Sequence, residues 1–221
     1  MPVAENKISI RSGDLSLEGV LHLPNNSGSW PGVVVCHPHP QRGGDMDNPV
    51  VVAIARALPK AGIAALRFNF RGAGYSEGSH DRGAGEADDA AAAVSFLTLH
   101  NRVRAGGVGI AGYSFGAWMA LEVAAQDGLV QAVASVACPT VPFNALGAVE
   151  MVPPKLLVCG DADHDFPVGQ FAFLARRYTD PKQVEILRGA DHFFLDHTDD
   201  VASMTADFFA GCLDRHAPGT S

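Results

Sequence analysis

The segment Gly112-Tyr113-Ser114-Phe115-Gly116 constrains this chain more than any other. It fits the pattern G-x-S-x-G, and its flanks supply the strand-to-helix context that gives the pattern meaning. Val108-Gly109-Ile110-Ala111 before it is short and apolar, as a buried strand is. After it, Ala117, Ala120, Leu121 and Ala124 recur at helical spacing. A serine between strand and helix sits on a sharp, strained turn that lifts its hydroxyl away from the sheet. The backbone then passes close to its neighbours two residues to either side, and glycine at 112 and 116 avoids the side-chain clash. The alternative is a glycine-rich turn with an incidental serine, because short patterns recur by chance. The rest of the chain decides between them.

After residue 30 the apolar segments alternate between strand-like and helix-like. Residues 8–10 and 15–23 alternate with period two and predict a hairpin turning at Gly13-Asp14. Residues 24–31 read as a loop. Val33-Val34-Val35-Cys36 is continuous and apolar, as in a strand buried on both faces. Helices are predicted over 48–61, with Pro49 in the first turn, and over 86–99, 166–178 and 199–213. Further strands are predicted over 63–70, 132–137, 156–159 and 184–187. This order implies an α/β fold: a mostly parallel sheet behind an N-terminal antiparallel hairpin, with helices on both faces. In such sheets reactive groups gather at the carboxyl ends of the strands.

The chain's 221 residues suit one α/β domain spanning 1–221, and 47% hydrophobic against 18% charged residues allows a substantial core. A formal charge of −8 argues against general nucleic-acid binding and gives no support for docking on anionic lipid. The first eleven residues hold no apolar signal-peptide core, and no apolar run approaches the ~20 residues of a membrane span. Cys36, Cys138, Cys159 and Cys212 lie far apart, without a CxxC pair. Reduced thiols in a cytoplasmic protein are expected. Nothing in the sequence sets an oligomeric state.

A serine hydroxyl needs a base to take its proton and a third group to orient that base. After the strand ending at Cys159 comes Gly160-Asp161-Ala162-Asp163-His164-Asp165, and after the strand ending at Leu187 comes Arg188-Gly189-Ala190-Asp191-His192-Phe193. The chain order is Ser114, an aspartate, then His192, each following its own strand. Asp161, Asp163 and Asp165 alternate, so spacing alone leaves the aspartate open. Asp191 adjoins His192, but adjacent side chains diverge, and it reads as structural. Five segments in sequence resemble the α/β-hydrolases: Cys36-His37-Pro38-His39-Pro40, Arg71-Gly72-Ala73-Gly74-Tyr75-Ser76-Glu77-Gly78, the elbow, Gly160-x-x-Asp163, and Gly189-Ala190-Asp191-His192-Phe193-Phe194. The resemblance is closest to small dienelactone-hydrolase-like bacterial serine hydrolases with a His-Pro-His-Pro loop. It implies Ser114 as nucleophile, Asp163 as acid and His192 as base.

In that fold one oxyanion donor is the N–H after the nucleophile, here Phe115, and the other comes from the loop after the third strand. Pro38 and Pro40 have no N–H, which makes His39 the natural donor, with Gln41 the alternative. Residues 138–155 are too few for a large lid. Their apolar side chains, Phe143 among them, are expected to line an acyl pocket with Phe115 and Phe166, or else to cover the core as an ordinary loop. His37-x-His39 with Asp45 and Asp47 lacks the convergent ligands of a metal site, and His37 reads as a structural residue beneath the loops. Gly72-x-Gly74-x-x-x-Gly78 misses the dinucleotide spacing and its helix begins too late, so it reads as a tight loop with Arg71 held by carboxylates. His80, His100, His197 and His216 read as surface or cap residues. No cofactor or metal is expected. The substrate expected is a small-molecule ester or thioester. Carboxylesterase activity comes first, with thioesterase, lactonase or peptidase activity on the same residues, or binding without turnover, as alternatives.

Overall fold

The computed structural model describes residues 4–213, so the outermost ends of the expected 1–221 domain, with His216, lie outside the described residues. Eight strands form one sheet: β1 (Ala4–Ser12), β2 (Leu15–Leu23), β3 (Trp30–Cys36), β4 (Ala64–Phe68), β5 (Val103–Tyr113), β6 (Val130–Val136), β7 (Lys155–Gly160) and β8 (Lys182–Leu187). The spatial order is β1-β2-β4-β3-β5-β6-β7-β8. β1 pairs antiparallel with β2, and β2 with β4, while every later pair is parallel. Ser12 faces Leu15, so the hairpin closes on the two-residue Gly13-Asp14 turn, with Gly13 at φ 56°. Glycine takes that left-handed conformation without steric penalty.

Six helices cover the sheet: α1 (Pro49–Ala57), α2 (Ala84–Leu99), α3 (Phe115–Gln126), α4 (Thr140–Leu146), α5 (Val168–Ala175) and α6 (Thr198–Leu213). The strand alternation divides the core into two layers. Val34, Leu66, Ile110, Val133 and Leu157 pack with α2, α3, α4 and α5. Val33, Val35, Ala65, Ala111, Ala134 and Val158 pack on the opposite face with α1 and α6. Both faces of the central strands are therefore apolar, which explains the unbroken Val33–Cys36 run.

Helix starts follow capping chemistry. The Asn48 side chain accepts the Val50 N–H at 3.0 Å, with Pro49 at the first helical position. The expected 48–61 helix stops as an α-helix at Ala57 and continues as a 3₁₀ turn over Leu58–Ala61, because Pro59 lacks the N–H that another α turn requires. α4 lies in what reads as a loop in the sequence. Pro139 at its N-cap and Pro142 in its first turn, where N–H groups need no intrahelical partner, hide it from a sequence reading. Residues 137–154 contain only this short helix between β6 and β7, so no lid domain sits there.

Candidate active site

The elbow is built as its glycines require. Ser114 has φ 54° and ψ −116°, outside the regions ordinary residues favour, a strain of roughly 1–3 kcal/mol that surrounding structure must hold. Its N–H donates to Val136 O at 2.8 Å, and its carbonyl accepts from Ala117 N at 2.9 Å. A methyl group at Gly112 would overlap the Gly116 carbonyl. One at Gly116 would overlap the carbonyls of Cys36 and His37. The second glycine thus lets α3 lie directly against the loop after β3.

Ser114 Oγ lies 3.1 Å from His192 Nε2, and His192 Nδ1 lies 2.9 Å from Asp163 Oδ2. The other oxygen, Asp163 Oδ1, accepts the N–H groups of Asp165 at 2.8 Å and Phe166 at 2.9 Å. Asp163 is buried, and both its oxygens are occupied. Burial works to raise its carboxyl, but the bonds from His192, Phe166 and Asp165 outweigh burial and hold it below the ordinary carboxylate range. Burial likewise works to lower His192. The hydrogen bond and charge of Asp163 outweigh it, helped by Asp165 and Asp191, and raise the imidazole above 6.5. With Nδ1–H on the carboxylate, Nε2 is left to accept a proton from the serine hydroxyl.

The neighbouring aspartates have other work. Asp161 Oδ1 accepts the Gly189 N–H at 2.6 Å, tying the loop after β7 to the loop after β8. Asp191 Oδ1 accepts the Phe193 N–H at 3.0 Å. Tyr113, inside the elbow, donates its hydroxyl to His192 O at 2.8 Å and pins the histidine loop to the end of β5.

The loop after β3 is fixed from beneath. His37 is fully buried, with Nε2 accepting the Phe70 N–H at 3.0 Å and Nδ1 at 2.6 Å from Pro38 O. Because Nε2 accepts, Nδ1 carries the proton and donates. Burial lowers the His37 pKa to about 4, which keeps the ring neutral and both bonds intact. In a planar trans peptide the N–H points opposite to the C=O. Holding the Pro38 carbonyl inward therefore turns the His39 N–H outward. That N–H has no protein acceptor among the described residues. Phe115 is the first residue of α3, where the N–H lacks an intrahelical acceptor.

A cavity of 490 Å³ opens beside Ser114, lined by His39, Phe115, His80, Trp118, Pro139 and Pro142 among others. His80 is not a simple surface residue: its Nδ1 lies 2.8 Å from the buried Glu86 carboxylate, off hydrogen-bond alignment, and its ring packs on His39. Phe143 and Phe166 are placed elsewhere. Both are buried, with ring centroids 5.1 Å apart, and they pack with Phe171 and Tyr178 beneath α4 and α5. Neither lines the cavity at Ser114. In their place the wall uses Trp118, four residues along α3 from the serine and so on the same helical face. A larger hollow of 810 Å³ along β8 and α6 contains none of Ser114, Asp163 and His192.

His37 and Ser76 are occupied structurally. Both ring nitrogens of His37 bond backbone atoms, and Ser76 Oγ donates to Asn69 O at 2.7 Å. Arg71 forms a two-pronged pair with Asp89, as expected. Among the described residues no group of three or more metal-ligating side chains converges, and no helix is long and apolar enough to cross a membrane.

The likeness to known proteins runs through nearly the whole chain. An uncharacterized protein of Rickettsia prowazekii is 31% identical over 186 residues, covering 80% of this chain and 78% of that protein. An α/β serine hydrolase homologue from Coxiella burnetii superposes with a TM-score of 0.83 at 32% identity, covering 92% of this chain and 96% of that one. XC6422 from Xanthomonas campestris, described as an α/β serine hydrolase without a lid, gives 0.81 at 28% identity, covering 100% and 99%. The model of the dienelactone hydrolase family matches residues 17–210, a span that holds Ser114, Asp163 and His192, and the chain belongs to that family of α/β-fold hydrolases.

Proposed function

We propose that the protein is a serine hydrolase that cleaves carboxylic esters through an acyl-enzyme. The observation that carries this reading is the continuous chain Ser114 Oγ, His192 Nε2, His192 Nδ1, Asp163 Oδ2, with links of 3.1 and 2.9 Å. His192 takes the hydroxyl proton as Ser114 attacks the carbonyl carbon. The tetrahedral oxyanion is met by the N–H groups of Phe115 and His39. His192 then hands its proton to the leaving oxygen, and the alcohol departs. Water, deprotonated by the same imidazole, attacks the acyl carbon and releases the acid, and Ser114 recovers its proton. Asp163 stays ionised and steadies the imidazolium.

A thioester fits the same machinery, since attack and oxyanion stabilisation are the same and thiolate leaves without needing a full proton transfer. Four free cysteines, three of them buried, support a reducing compartment such as the cytoplasm. The test is hydrolysis of short 4-nitrophenyl esters by the wild type and by Ser114→Ala. The reading expects turnover that falls by about 10⁴-fold or more in the variant. Equal rates in the two proteins would refute it.

A further inference from the structure

We infer that the cavity beside Ser114 is the acyl subsite and that it selects a flat aromatic acyl group, such as a phenyl ring one or two carbons from the ester carbonyl. This rests on the ester-hydrolase reading above.

The side of the site follows from the geometry of acyl transfer. A carbonyl carbon attacked by Ser114 has three other substituents. The oxyanion goes to the N–H donors, and the leaving oxygen must lie toward His192 Nε2, which gives it the proton. The acyl substituent takes the remaining direction. The cavity is lined by Ser114 together with His39 and Phe115, and His192 is not part of its wall. It therefore lies on the acyl side. The exposed Phe193 ring, 5.8 Å from the His192 ring, is next to the group that serves the leaving oxygen.

The chemistry of the wall follows from its rings. His39 lies 4.7 Å from His80 and 5.0 Å from Phe115, centroid to centroid, and Phe115 lies 5.6 Å from Trp118. These four rings form one continuous surface, and Pro139 and Pro142, from the connection after β6, bound the same cavity. Burial lowers the His39 pKa, so at neutral pH its ring is an uncharged aromatic surface. Stacked or edge-on aromatic pairs gain about 0.5–1.5 kcal/mol beyond their area burial, which a saturated ring of equal size does not receive.

The wall is also preformed. Glu86 accepts the N–H groups of Asp81 and Gly83 at 2.9 and 2.8 Å and faces His80. His39 Nδ1 accepts the Gln41 N–H at 3.2 Å. Gly83, at φ 108°, lies so close to Trp118 that a methyl group there would meet the indole ring. Side chains already held lose little entropy when a ligand arrives. Arg42 and Arg82 also border the cavity but are exposed, where solvent and salt screen their charge, so the ring wall sets the preference.

The test compares kcat/KM for 4-nitrophenyl phenylacetate and 4-nitrophenyl cyclohexylacetate, each divided by its alkaline hydrolysis rate. The methylene insulates the carbonyl from the ring in both. The inference expects a preference of about 10-fold for the phenyl ester in the wild type. It expects a clearly reduced ratio in Trp118→Leu, where the His39, His80 and Phe115 rings remain, and a retained preference in Trp118→Phe. A wild-type ratio near 1, or an unchanged ratio in Trp118→Leu, would overturn it. A second arm needs no turnover: intrinsic fluorescence is titrated with phenylacetamide and cyclohexylacetamide. Quenching by phenylacetamide alone, seen in the wild type and lost in Trp118→Phe, supports the subsite even if no ester is hydrolysed, in which case only the hydrolase reading fails. Equal responses to the two amides would remove the subsite while leaving that reading standing.

Discussion

His37 Nδ1 donates to Pro38 O at 2.6 Å, and this buried bond sets the direction of the His39 N–H that shares the Pro38 carbonyl's peptide plane. A histidine that touches no substrate thus orients a backbone group at the site. Phe70 N–H holds the other ring nitrogen, so the loop after β3 is tied to the end of β4.

His37→Phe keeps a buried ring but removes both bonds. Initial-rate measurements with a 4-nitrophenyl ester are expected to show kcat lower by about 10²-fold, with KM less affected, as for a displaced oxyanion donor. His37→Asn, which keeps one donor, is expected to recover part of that loss. A His37→Phe protein that folds and keeps the wild-type kcat would show that the loop needs no such tether.

His39 is expected to act through its backbone. His39→Ala retains the N–H between Pro38 and Pro40, and on a short acetyl ester its kcat is expected to stay within about 10-fold of the wild type. A loss of ~10²–10³-fold would assign the imidazole itself a part in catalysis.

The acid limb of kcat/KM against pH reports protonation of His192, because the charged imidazole cannot take the serine proton. Asp163 raises that group above its ordinary 6.5, so the limb's midpoint is expected above 6.5. In Asp163→Asn the strongest raising partner is gone, while burial still lowers the group and Asp165 and Asp191 still raise it. The midpoint is then expected lower than in the wild type, on a much reduced rate. A midpoint that stays put in Asp163→Asn would separate the two residues.

Stability has its own acid dependence. Burial lowers both His37 and His22 to about 4, and for His22 the Arg67 charge adds to the effect. The unfolded chain takes up these protons near 6.5 while the native chain refuses them until about 4. Stability from these groups is present above 6.5 and is lost as the pH falls toward 4, on the order of 3 kcal/mol for each group. Urea midpoints measured from pH 7 to pH 4.5 are expected to fall steadily, and a flat profile would contradict this account.

Phe143 and Phe166 behave as core residues in this structure. Phe143→Ala is expected to destabilise the fold by about 3–5 kcal/mol, read from urea unfolding. Acyl-chain preference should move little. A clear change in preference without loss of stability would return Phe143 to the substrate pocket.

What the sequence revealed was chemistry tied to local backbone. The Gly13-Asp14 turn, the elbow with its two required glycines, and the order Ser114, aspartate, His192 are each readable within a few residues. Choosing Asp163 over Asp161 took resemblance, because alternation puts both on one face. The structure separates them by where a tight turn delivers each carboxylate: one to His192, the other to Gly189 N. Long-range direction was not legible. The apolar stretch over 138–155 does not say which side chains turn inward, so Phe143 points into the core while Pro139 and Pro142 reach the cavity. The His80–Glu86 approach also escapes a sequence reading, since it crosses a loop with no helical or strand period. Trp118 was within reach, lying one helical turn from Ser114.

The central claim is that Ser114 is a nucleophile activated by His192, and covalent labelling tests it most directly. Intact-mass spectrometry after exposure to a fluorophosphonate is expected to show one adduct per chain, mapped by peptide analysis to Ser114. The adduct should be absent in Ser114→Ala and form far more slowly in His192→Ala. An unlabelled wild-type protein, or an adduct formed equally fast in Ser114→Ala, would contradict the account.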